Sequence, residues 1–136
     1  MKSELDVTYA TIMNEIVETG IAPHYAELAT PLGISPEEAL RRIDQIVVMT
    51  PGWMHPSTNY IASFPSFNNQ PTPHRISVRG DQWWFGQCGF EALACCWMFP
   101  RETVSIDAPC LLGEEPLHLE MKDGDLLLAE PATVVG

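Results

Sequence analysis

Apolar residues recur along the first fifty positions with the three-to-four-residue spacing of helices that bury one face. Within residues 7–19, Ile12, Ile16 and Val17 share a side, and Gly20 follows as a stop. Pro23-His24-Tyr25-Ala26-Glu27-Leu28-Ala29 predicts a second, short helix ending near Gly33. Ser35 as N-cap, Pro36 at the first helical position and the acids Glu37 and Glu38 announce a third, with Ala39, Leu40, Ile43, Ile46 and Val47 inward.

The period then changes. Gly52-Trp53-Met54-His55-Pro56-Ser57-Thr58-Asn59-Tyr60-Ile61-Ala62 is extended and can fold as a hairpin, so residues 1–63 predict a three-helix, winged helix-turn-helix-like lobe. The stretch from Phe64 to Pro73 is punctuated by prolines and predicts a connection that is neither helix nor central strand. Arg75-Ile76-Ser77-Val78 alternates as a strand, Gly80-Asp81 turns it, and residues 82–85 can pair back. A helix is predicted from about Gln87 to Met98, closed by Pro100. Residues 103–106 and 116–121 read as further strands, and Lys122-Asp123-Gly124-Asp125 is a hairpin signal leading into Leu126-Leu127-Leu128-Ala129. Residues 64–136 therefore predict a small, mostly antiparallel sheet packed on one helix, and the fold class is α+β.

Composition narrows the function. The 136 residues are 46% apolar and 18% charged, as in a globular protein, and no run of about 18 uncharged apolar residues could span a bilayer. The N-terminus lacks the pattern of a secretory signal, which makes the cytoplasm the expected compartment. A net charge of -11 argues against a nucleic-acid partner. The helical lobe sharpens that point, because its first fifty residues set only Lys2, Arg41 and Arg42 against eight acids.

Reactive chemistry concentrates in Trp83-Trp84-Phe85-Gly86-Gln87-Cys88-Gly89-Phe90-Glu91. In the expected helix Cys88 falls in the first turn, where unpaired N–H groups and the helix dipole favour a thiolate, the form that binds soft metals. Glu91, three residues on, shares its face and could supply a proton. Each has a plainer reading, Cys88 as a small buried residue and Glu91 as a solvated one. Cys95 lies about 10.5 Å of helix rise from Cys88, too far to grip one ion with it, and Cys96 diverges around the helix. Cys110 is the only cysteine outside the helix, and no C-x-x-C pattern proposes a structural zinc.

Three spaced pieces occur in order: I-A-S-F-P-S-F with P-T-P-H-R-I-S-V over residues 61–78, Q-C-G-F-E-A-L over 87–93, and V-S-I-D-A-P-C over 104–110. With the helical lobe before them, they resemble the alkylmercury lyases over nearly the whole chain. The resemblance implies protonolysis of a carbon–mercury bond, in which two thiolates seize the mercury of an organomercurial and an acid protonates the departing carbon. It puts Cys88 on the first catalytic cysteine and makes it the mercury ligand. Glu91 falls where the lyases carry an aspartate, one methylene shorter, and Cys110 on a further, structural cysteine. The family's second catalytic cysteine follows a V-V-x stretch like Val134-Val135-Gly136. No cofactor is implied, mercury being substrate and product ion. The expected ligand is a small organometallic or soft metal, with neither nucleic acid nor membrane as partner. An uncovered sheet edge makes a homodimer a candidate assembly. The alternative reading is a non-catalytic soft-metal or small-molecule binding or regulatory module on the same fold.

Overall fold

Serine, histidine and glycine set the helix ends of the N-terminal half. In the computed structural model, which describes residues 1–80 and 82–134, helix α1 spans Glu4–Thr19. It starts ahead of the apolar pattern because Ser3 and Asp6 cap it reciprocally: the Asp6 N–H donates to Ser3 Oγ at 3.1 Å and the Ser3 N–H to Asp6 Oδ2 at 2.8 Å. Gly20 closes it in the left-handed region at φ 86°. Helix α2 spans Tyr25–Leu32, and His24 Nδ1 accepts the Ala26 N–H at 3.2 Å. Helix α3 spans Pro36–Met49, with Ser35 Oγ accepting the Glu38 N–H at 3.2 Å. Ile12, Ala39 and Ile43 are completely buried, and Ile16, Leu28 and Ile46 nearly so. Burying each isoleucine or leucine stabilises the fold by about 1.5–3 kcal/mol, and the methyl of Ala39 contributes less.

The two arginines of α3 do not form a free basic face. Arg42 is buried and bonds the carboxylates of Glu38 at 2.7 Å and Glu4 at 3.0 Å. Arg41 Nε donates to Glu38 Oε2 at 2.8 Å. Strands β1 (Trp53–Met54) and β2 (Ile61–Phe64) then pair antiparallel, which makes the expected hairpin.

The chain divides into two compact units, Met1–Pro65 and Ser66–Gly136. The second is an antiparallel sheet with helical cover. Its elements are β3 (Phe67–Asn68), β4 (Arg75–Val78), β5 (Gln82–Gly86), α4 (Gly89–Ala94), a 3-10 turn over Cys95–Met98, β6 (Val104–Pro109), β7 (Pro116–Lys122) and β8 (Asp125–Glu130). Within this unit the strands lie in the order β3-β5-β4-β6-β7-β8. The proline-rich connection thus contains one short strand, β3, whose Phe67 and Asn68 pair with Gly86 and Phe85. The prolines fall outside it, as their missing N–H groups require. Of the expected Gly80-Asp81 turn, Asp81 lies outside the described residues, and Gly80 adopts φ 80°.

Register separates the two faces of the sheet. Ile76 stands opposite both Trp84 and Ile106, and all three are buried. Their neighbours Arg75, Phe85 and Asp107 pair with one another and point to the other face. The β7–β8 turn has Asp123 at φ 49° and Gly124 at φ 90°, the left-handed pair that a tight two-residue hairpin demands. Trp97 lies so close that a Cβ on Gly124 would sit 2.7 Å from its ring. Among the described residues no helix is long and apolar enough to cross a membrane.

Candidate functional site

The site is built where β5 hands over to α4. Gly86 ends β5 at a point where a Cβ would stand 2.9 Å from the Cβ of Ala92, so glycine lets the helix lie directly on the strand. Three hydrogen bonds pin the turn. The Gly86 N–H donates to the His74 carbonyl at 2.9 Å, Thr72 Oγ1 donates to the Gly86 carbonyl at 2.8 Å, and the Gln87 N–H donates to the Ser66 carbonyl at 3.0 Å.

Because Gly86 and Gln87 are held by these neighbouring segments, helix α4 begins at Gly89, two residues later than the pattern predicts. Cys88 is therefore the N-cap and not a first-turn residue, with extended backbone at φ -155° and ψ -180°. Its carbonyl accepts the Ala92 N–H at 2.9 Å, while its side chain makes no capping bond. The thiol is exposed. That combination leaves a soft nucleophile at a fixed backbone position with no structural duty. Glu91 follows in the first turn, half-buried.

The expected single helix also ends sooner, at Ala94, and tightens into the 3-10 turn before Pro100, which cannot continue a helix. Cys95 and Cys96 sit on that turn and are buried, at 0% and 1% exposure. Burial pushes the Cys95 thiol well above the ordinary range, and the charges of Glu91 and Cys96 add to the effect. Cys95 is thus held as a neutral thiol, its sulfur 4.0 Å from the Ser66 carbonyl. Cys110 is half-buried in the link between β6 and β7, where its N–H donates to the Glu115 carbonyl at 2.7 Å and its own carbonyl accepts the Glu114 N–H at 3.0 Å. All four cysteines are free thiols. Among the described residues no three His, Cys, Asp or Glu side chains cluster closely enough to hold a metal ion.

Sequence reasoning passed over His74. Its ring lies against the first residue of α4, with Cε1 and Nδ1 at 3.6 and 3.9 Å from where a Gly89 Cβ would stand. Nδ1 is buried and has no hydrogen-bond partner among the described residues. The signal was present in the quoted P-T-P-H-R-I-S-V piece, but nothing in local spacing connects His74 to a cysteine fourteen positions on.

The opposite face of the sheet carries a second polar group. Arg75 stacks on Trp83 at 4.3 Å and approaches Asp107 at 3.6 Å. His118 Nδ1 lies 2.8 Å from Asp107 Oδ1, and its Nε2 lies 3.4 Å from Glu120. The bond to Asp107 raises the His118 pKa, and Glu120 reinforces it. An open cleft of about 420 Å³ borders this network, lined by Thr72, Arg75, Phe85, Asp107, Glu114 and Leu117 among others.

This arrangement sits in a recognisable sequence context. The family model for alkylmercury lyase matches residues 67–135, and the chain belongs to the alkylmercury lyase family. The solved structure of the mercury-bound form of MerB2 has the same fold, with a TM-score of 0.76 at 19% sequence identity over 98% of this chain. The chain spans 63% of the length of that structure's chain. No curated protein matches the sequence.

Proposed function

We propose that the chain acts on organomercurials, with Cys88 as the mercury-binding thiolate and Glu91 as the acid. The observation that carries this reading is the exposed thiol of Cys88 at the head of α4, free of any capping bond, with the carboxyl of Glu91 in the first turn of the same helix. Mercury is soft and prefers thiolate over oxygen or nitrogen ligands. In the proposed reaction the Cys88 sulfur forms a bond to mercury and displaces its exchangeable ligand. The carbon–mercury bond then breaks, its electron pair takes a proton from the Glu91 carboxyl, and hydrocarbon leaves while mercury stays on sulfur. A second thiolate would complete linear coordination. Cys95 and Cys96 are poor sources because both are buried, and of the four cysteines in this sequence Cys110 is the remaining candidate beside Cys88. Of the V-V-x stretch that precedes the family's second catalytic cysteine, Val135 and Gly136 lie outside the described residues.

The three helices and the β1–β2 hairpin support a winged helix-turn-helix-like lobe serving as structure rather than as a DNA reader, since Arg41 and Arg42 are already tied to acids. Four free thiols suit a reducing cytoplasm.

The test is direct. Phenylmercury incubated with the protein and excess thiol should release benzene, measured by gas chromatography, and Cys88→Ser should abolish the release. Thiol-dependent mercury binding without any benzene would demote the protein to a non-catalytic binder, and release unaffected by Cys88→Ser would overturn the assignment.

A further inference from the structure

His74 is the one described residue whose side chain presents a buried polar atom with no partner. An imidazole nitrogen kept from water and left unbonded costs free energy, so such an atom in a well-packed turn points to a bond completed by a group that moves. The surroundings restrict which group that is. The His74 N–H is taken by Thr72 Oγ1 at 3.2 Å, and its carbonyl accepts the Gly86 N–H at 2.9 Å, so the backbone of the residue cannot shift to find a partner. The Nδ1–Cε1 edge of the ring faces Gly89, which contributes no side chain. The residue that precedes Gly89 in the chain is Cys88, whose side chain turns about a single bond and makes no capping bond of its own.

We propose that His74 is a positioning residue for Cys88, its Nδ1 supplying the hydrogen bond that orients the sulfur for attack on a soft electrophile. The proposal rests on Cys88 being the reactive thiol of the site, and it adds a group outside the cysteine helix. A Cβ at position 89 would rest on the imidazole edge at 3.6 Å, an ordinary packing contact, so the ring already lies at touching distance from the backbone next to Cys88. The role concerns orientation, and it calls for no oxidant and no additional co-reactant.

Alkylation by iodoacetamide of the full-length protein, with the modified cysteine located by peptide mass mapping, reads Cys88 without requiring turnover. Two variants separate hydrogen bonding from packing. His74→Phe keeps a flat ring against Gly89 and removes the nitrogen, whereas His74→Asn keeps a polar atom at the same distance along the side chain as Nδ1. His74→Phe is expected to slow Cys88 alkylation roughly ten-fold, the worth of one hydrogen bond, while thermal melts match the parent. His74→Asn should recover most of that rate. Equal rates for His74→Phe and the parent would overturn the proposal. So would equal slowing by both variants, which would assign His74 to packing alone. Benzene release by Cys88→Ser is scored separately: persistence there defeats the organomercurial reading, whereas the alkylation rates test only the His74–Cys88 coupling.

Discussion

The helical unit, Met1–Pro65, and the sheet unit, Ser66–Gly136, differ in where their polar groups find partners. In the helical unit the partners are mostly local. Ser3 with Asp6, His24 with Glu27, Ser35 with Glu38 and Arg41 with Glu38 all lie three positions apart. In the sheet unit they come from afar. Arg79 pairs with Glu102, the Arg101 N–H donates to Asp123 at 2.7 Å, and His118 meets Asp107. The sheet unit also holds all four cysteines and the unpartnered His74 nitrogen. Local rules satisfy most polar groups of a helix, with the Arg42–Glu4 pair between α3 and α1 as an exception, and groups left over for chemistry appear where distant segments must be brought together.

The largest test of this contrast compares two fully buried isoleucines. Ile43→Ala in α3 and Ile76→Ala in β4 should each cost about 2–5 kcal/mol in urea unfolding, since both lose apolar contacts and leave a cavity. Only Ile76→Ala should change the alkylation rate of Cys88 in the folded protein. An equal change from Ile43→Ala would break the division of labour. Next comes Gly86→Ala, which drives a methyl group to within 2.9 Å of the Ala92 Cβ. It should destabilise by about 1–3 kcal/mol and slow benzene release as α4 is pushed off the strand. Adding Ala92→Gly should restore part of both. No effect on either readout would show that the close approach is dispensable.

Ser35→Ala removes one local cap and should cost about 1 kcal/mol, visible as a lowered melting temperature with Cys88 reactivity unchanged. The smallest effects are the pH dependences, which run in opposite directions in the two units. His118 is raised above 6.5 by its bond to Asp107, so its contribution is complete below that pH and fades as pH climbs through the raised value. His118→Gln should flatten the alkaline limb of a melting-temperature profile. Glu38 is held down to about 2 by bonds from Arg41 and Arg42, so its contribution is present above 4.5 and fades as pH falls toward 2. Glu38→Gln should flatten the acid limb instead, and a variant that flattened the opposite limb would contradict these assignments.

Much of the fold was legible along the chain. Gly20, Gly33, Ser35 and the Asp123-Gly124 turn mark real boundaries, because caps and tight turns are decided by residues a few positions apart. The strand β3 was not legible, since two residues between prolines carry no period and form a strand only when β5 offers its edge. The start of α4 was misplaced for a related reason: Gln87 is held by Ser66, a contact spanning twenty-one positions. That shift moved Cys88 from inside the first turn to the N-cap.

The sequence by itself determined the helix ends, the hairpin turns, the acidic balance and the motif pieces that mark an alkylmercury lyase relative. Those features depend on dihedral preference, short-range hydrogen bonds and residue identity. Tertiary structure alone decided which cysteine faces water and which are sealed, with Cys88 exposed and Cys95 and Cys96 buried side by side on the 3-10 turn. It also brought His74 against Gly89. Burial and the approach of a side chain from the segment just before β4 follow from how the sheet packs on α4, and no local pattern encodes that packing.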